Sequence, residues 1–147
     1  MARATPMARI IAFYLLLATI AACAFWRGDR DSRNIASICI LASVASSLVL
    51  TPVAARYSGL EMGEFMVDLL ALAGFTLVAL ASSRFWPLWV SGLQLTTNLT
   101  HLMRYIDVAL IPRAYATASI FWSYPILLIL AIGTWRAHRR RLLIEDC

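Results

Sequence analysis

Residues 10–26 read IIAFYLLLATIAACAFW, an apolar run without a single charge, and comparable runs recur along most of the chain. That repetition limits the fold more than any single motif. A membrane crossing takes about 20 residues, so the chain's 147 residues leave room for four or five helices and little else. Soluble domains carry roughly 45–50% apolar and about 25% charged residues. Here the figures are 61% and 14%, with a mean hydropathy of +0.75. The excess is spread over the whole length. It predicts an all-α polytopic transmembrane bundle, a single integral membrane domain, and excludes a separate soluble domain or a soluble protein with one anchor.

Five spans are expected, at about 10–26, 34–55, 61–82, 85–106 and 114–135, followed by a basic cytoplasmic tail at 136–147. Asp31 or Ser32 is available to cap the second. Arginine supplies every Lys/Arg charge, for there is no lysine. With the N-terminus outside, Arg27, Arg30, Arg33, Arg84, Arg136, Arg139, Arg140 and Arg141 fall inside, and Arg3, Arg9, Arg56, Arg104 and Arg113 outside. Cationic residues collect on the cytoplasmic side of membrane helices, so this eight-to-five split favours five spans over four. If span four does not cross, the split is seven to six. In the five-span arrangement Trp26, Trp86, Trp89 and Trp135 all mark the cytoplasmic interface, whereas without span four Trp86 and Trp89 would move to the opposite face. The expected location is a bacterial-type inner (plasma) membrane, multi-pass, with the C-terminus in the cytoplasm. The net charge of +5 follows from arginines at span ends and is no nucleic-acid signal.

The first span also has the basic start and short apolar core of a signal peptide. Ile20-Ala21-Ala22-Cys23 resembles a bacterial lipoprotein cleavage site; cleavage there would leave Cys23 lipidated and four spans in place. Cys23, Cys39 and Cys147 have neither metal-ligand spacing nor the even count of a disulfide framework.

Span four is the exception to the apolar pattern. A helix turns about 100° per residue, which sets Gln94, Asn98, His101 and Tyr105 on one stripe, with Thr97 and Arg104 beside it. Leu95, Leu99, Leu102 and Ile106 face the other way. Such a polar face must look into the bundle. Span three supplies the complement: Glu61, Glu64 and Asp68 are spaced i, i+3, i+7. At about 1.5 Å per residue, Asp68 lies about 10 Å inside its span and His101 about 8 Å inside its own, counted from the same face. Arg104 lies about 3 Å in. Spans three and four are antiparallel across a short turn at Ser83 and Arg84, so the two sets meet. An unpaired charge near a helix centre costs roughly 2.5–3.5 kcal/mol on insertion scales. The expected pairs are therefore Glu64 with Arg104 and Asp68 with His101, with Asp107 and Arg113 extending the network outward. Span five passes the same depth with Tyr115, Ser119, Trp122 and Ser123. A charged pocket between spans three, four and five, or an ion or solute path through them, is the expected result.

Several functions fit that pocket. Asp68 and His101 could relay a proton, because histidine titrates near neutral pH. Paired interrupted helices of the kind found in secondary transporters are missing, the one internal break being Tyr124-Pro125. Haem ligation by His101 lacks a second histidine at the right depth, since His138 lies in the tail, and no metal or cofactor is assigned. There is no G-x-S-x-G, H-E-x-x-H or Walker sequence, and no catalytic residue is assigned. The expectation is a non-catalytic accessory or transport-type subunit. Its partners are the lipid bilayer and copies of itself or a larger membrane complex. A redox or lipid-modifying enzyme using Asp68 and His101 is the alternative. An interhelical lock is the purely structural reading. Cys39, Ser43 and Ser47, and Ala114 with Ala118, have the small-xxx-small spacing of close helix packing.

Met1 and Met7 with Arg3 between them, compact apolar spans and a charged C-terminal tail resemble features of phage holins. That resemblance implies a pore former. Holins usually have fewer spans, and the likeness covers only the ends of the chain, so no family is assigned.

Overall fold

A computed structural model of the protein describes residues 6–49, 62–106 and 112–145, except the side chains at 6, 9, 104–106, 112–122, 144 and 145. Every regular element in it is helical: α1 Pro6–Arg27, α2 Arg30–Val49, α3 Met62–Ala81, α4 Trp86–Ile106 and α5 Pro112–Glu145. Three helical segments are long and apolar enough to cross a membrane: Ile10–Arg27, Arg30–Val49 and Met62–Ala81. Their outer faces carry Leu16, Leu41, Leu48, Leu70, Leu77 and Leu80, all exposed. The interior is made of small residues, Ala21, Ala24, Ala36 and Ala71, around Ile35, Phe75, Val90 and Leu130. Apolar side chains outside and small ones inside let the helix backbones approach closely, as bundles in lipid require.

The helices form a ring. Each packs on its sequence neighbour, α5 closes on α1, and α5 also reaches α2. Residue contacts give the directions. Gly63, Gly74 and Ser82 of α3 and its following turn meet Val49, Ile38 and Asp31 respectively, so α2 and α3 are antiparallel. Asp68 meets Gln94 and His101 while Thr76 meets Ser91, so α3 and α4 are antiparallel too. The Phe13 ring packs edge-on against Tyr124, and Arg141 donates to the Gly28 carbonyl, so α1 and α5 run parallel.

One end of the ring therefore gathers the α1–α2 turn, the α3–α4 turn and the last turns of α5. Asp29 starts α2: its Oδ1 accepts from the Ser32 backbone N–H at 3.0 Å and from the Ser32 hydroxyl at 2.6 Å. That is an N-cap on the third helical residue. The cap is thus Asp29, not Asp31 or Ser32, and the helix begins at Arg30 rather than near 34. Asp31 is used elsewhere, accepting from the Ser82 hydroxyl at 2.6 Å. Asp29 also pairs with Arg84. Gly28 is required at this turn, because a Cβ there would lie 2.3 Å from the Ala24 carbonyl oxygen.

Two further expectations change. The basic segment is not a separate tail: α5 continues through Arg136 and Arg141 to Glu145, and Arg141 bonds to the α1–α2 turn at 3.0 Å. Trp26, Trp89 and Trp135 stand exposed, but Trp86 is half-buried against the bundle core. A Cβ on Gly133 would come within 2.9 Å of the Trp86 ring, so glycine makes room for the indole between α4 and α5.

Candidate functional site

The polar stripe of α4 faces α3 along a seam spaced 3 and 4 residues apart: Ser91, Gln94, Asn98, His101. This is the spacing of a coiled-coil contact line, here filled with polar groups. Gln94, Thr97, Asn98 and His101 are buried. Their principal partner is Asp68. The Gln94 amide nitrogen donates to Asp68 Oδ1 at 3.0 Å and approaches the Asp68 backbone carbonyl at 3.4 Å. His101 Nε2 lies 2.9 Å from Asp68 Oδ2. Asn98 Nδ2 donates to the carbonyls of Asp68, at 3.2 Å, and Gln94, at 3.0 Å. Both amides thus turn their nitrogens toward residue 68, which settles which end is oxygen. Among the described residues Asn98 Oδ1, which is buried, has no hydrogen-bond partner. Phe65 tilts against the His101 ring, 6.1 Å between centroids. One turn toward the α3–α4 loop, Thr76 and Ser91 share a hydrogen bond of 2.7 Å.

With Asp68 ionised, His101 Nε2 must carry the hydrogen between them, whether the ring is neutral or protonated. The His101 side chain is only 4% exposed, that of Asp68 24%. A carboxylate has about four lone-pair sites, and α4 occupies one on each oxygen. Asp68 also borders open space.

That space is a partly open cavity of about 210 Å³. It is central, bounded by all five helices rather than by three. Asp68, Ala71 and Phe75 form its α3 wall and Gln94 its α4 wall. The α1 side presents Phe13, Tyr14 and Leu17. From α2 come Cys39, Ser43 and Ser46, and from α5 Ser123, Ile126 and Leu127. Cys39 and Ser43 border this cavity, although their spacing reads as helix packing, and Ser47 is exposed on another face. The signal that would have found the α2 wall is the polar stripe Cys39, Ser43, Ser46, spaced 4 and 3, in place of the regular fourfold repeat.

The remaining predicted residues stand differently. Glu64 lies in the first turn of α3, half-buried. Arg104 and Tyr105 belong to α4, and Tyr115, Ser119 and Trp122 to α5, but their side chains are outside the described residues, as is the proposed Glu64–Arg104 pair. Glu61 and Asp107 are outside them altogether. Cys23 is an exposed free thiol within α1, and Cys39 a buried one. Among the described residues no three His, Cys, Asp or Glu side chains gather as a metal site.

Outside the bundle interior, the turn end holds a second polar group built on the Asp29–Arg84 pair. Burial first, and then the positive charges of Arg140 and Arg141, lower the pKa of Arg84. This end therefore concentrates cationic charge around two carboxylates, Asp29 and Asp31. Comparison of the chain with protein families, with curated proteins and with solved structures found no match.

Proposed function

We propose that this chain is a small integral membrane protein of the bacterial inner-membrane type, crossing five times with its N-terminus outside. Its role in this reading is that of a non-catalytic, transport-type subunit whose central cavity receives a small solute against Asp68. One observation carries the reading: a carboxyl group bonded to Gln94 and His101 sits on the wall of a partly open 210 Å³ cavity lined by residues of all five helices. An ionisable group at that depth is costly, and groups kept there commonly mark ion or solute paths. The threading is supported by the turn end, where Arg27, Arg30, Arg33, Arg84 and the arginines of late α5 collect on one side, as the cytoplasmic bias of arginine requires.

The test is solute flux in proteoliposomes. Asp68→Asn and His101→Gln are expected to abolish it while the protein still accumulates. Threading is checked by cysteine labelling near Arg84 in a variant lacking the three native cysteines; labelling from the outside only would overturn it.

A second reading has its own support. Both Asp68 oxygens are engaged by α4, as they would be in a lock holding α3 to α4. Under that reading the two substitutions lower accumulation together, and no flux is found for any solute.

A further inference from the structure

Resting on the transport reading, we infer that the central cavity takes a small organic cation, an ammonium group with short alkyl substituents. Asp68 supplies the countercharge and the aromatic wall supplies the enclosure.

Charge comes first. Among the described residues that line the cavity, Asp68 supplies the one carboxyl group. Among the described residues no arginine or histidine lines it, and His101, paired with Asp68 Oδ2, is not on its wall. An anion would meet the carboxyl group with no cationic side chain among those lining residues to receive it. A cation meets a partner in a surrounding of low polarity, where an unpaired ion is most costly.

Wall chemistry separates organic from inorganic cations. Hard metal ions of the calcium and magnesium type need about six oxygen ligands in a closed shell. Here one carboxyl group shares the cavity with neutral serine hydroxyls and with Leu17, Ala71, Ile126 and Leu127, and among the described residues no second carboxylate stands beside it to build such a shell. Phe13 and Tyr14 stand on the α1 wall, one turn from Leu17. Aromatic rings attract cations through their quadrupole, and quaternary and alkylated ammonium groups are the ligands that use this most.

Size sets the upper limit. Pockets for drug-sized ligands run from roughly 300 to 1,000 Å³, and this one is about 210 Å³. The ligand is therefore small. Hydroxyls from Ser43, Ser46 and Ser123 leave room for one polar substituent on it.

Purified protein in detergent would be titrated with choline, with tetramethylammonium, and with 3,3-dimethylbutan-1-ol, the uncharged carbon isostere of choline. Radioligand displacement and thermal stabilisation would be read together. The two cations should bind and raise the melting temperature, and the isostere should bind at least ten-fold more weakly. Asp68→Asn should weaken cation binding ten-fold or more. Ser43→Phe should fill the cavity without touching the Asp68–His101 pair, and so accumulate normally yet lose binding, which keeps the test valid if Asp68→Asn fails to fold. Equal binding of the isostere, or full cation binding by Ser43→Phe, would overturn the assignment. Flux of a neutral or anionic solute without cation binding would refute the cation and leave the transport reading standing. No binding and no flux, with Asp68→Asn changing only accumulation, would remove both.

Discussion

The molecule holds two polar networks, and they are built on opposite principles. Inside the bundle, one carboxylate is surrounded by amides and an imidazole from a single neighbouring helix, with bonds of 2.9–3.0 Å to its oxygens. At the turn end, Asp29 and Asp31 engage groups from elements far apart in sequence, and arginines outnumber them. The Arg84 and Asp29 side chains there are 30% and 16% exposed, while the paired atoms themselves, Arg84 Nη1 and Asp29 Oδ2, are buried. The interior network fixes the register of one helix pair and leaves charge facing a cavity. The outer one ties turns together with contacts that are individually weak. What a network faces, a cavity or only other turns, separates a site from a fastening more than the number of its bonds.

Substitutions can break that contrast. The largest effect is expected from Asp68→Ala, because the bonds from Gln94 and His101 both lose their acceptor. Interhelical hydrogen bonds in membrane bundles average about 0.6 kcal/mol and reach about 1.7, so a loss of about 1–3 kcal/mol should appear in unfolding from bicelles. A smaller loss than at Asp29 would erase the distinction drawn here. Asp29→Ala should cost about 1–2 kcal/mol, most of it the helix cap at about 1 kcal/mol. Asp29→Asn, which keeps the cap and removes the charge, isolates the ion pair at about 0–1 kcal/mol, and that share should shrink in high salt.

The smallest effect has the opposite sign. The folded state lowers the Arg84 pKa, so protonated Arg84 costs stability at every pH below that lowered value, and the cost disappears only as pH rises through it. Arginine stays charged throughout the physiological range. Arg140→Gln removes one of the repelling charges and should stabilise the protein by up to about 0.5 kcal/mol, measured as a rise in melting temperature at low salt. A fall would mean that Arg140 contributes more by packing or hydrogen bonding than it costs by repulsion.

The interior network was largely legible because helical spacing and depth are both one-dimensional quantities. Asp68 could be located by counting from one end of its helix and His101 by counting from the corresponding end of the next. The cavity was not legible in this way. Its α1 and α2 walls depend on how the ring closes, and nothing in Phe13 or Ser46 taken alone announces a cavity rather than a contact. The turn end was hidden for a related reason. Asp29 and Asp31 are both plausible caps until the first helical residue is known. The bond from Arg141 to Gly28 joins residues at opposite ends of the chain, where sequence spacing carries no signal. Trp86 has the composition of an interfacial anchor, and only the missing side chain at Gly133 reveals why its ring turns inward.

Pro125 gives α5 the properties of a jointed lever. It lies between Ser123 and Ile126, both on the cavity wall, and proline lacks the N–H that would complete the helix ladder there. A helix bends most readily where such a rung is missing. From Pro125 to Arg141 the helix extends about 24 Å at 1.5 Å per residue, so a bend of about 10° carries the far end about 4 Å. The Arg141–Gly28 hydrogen bond is 3.0 Å long, and a displacement of that size breaks it. The cavity wall and the fastening of the turns therefore lie on one helix, either side of Pro125.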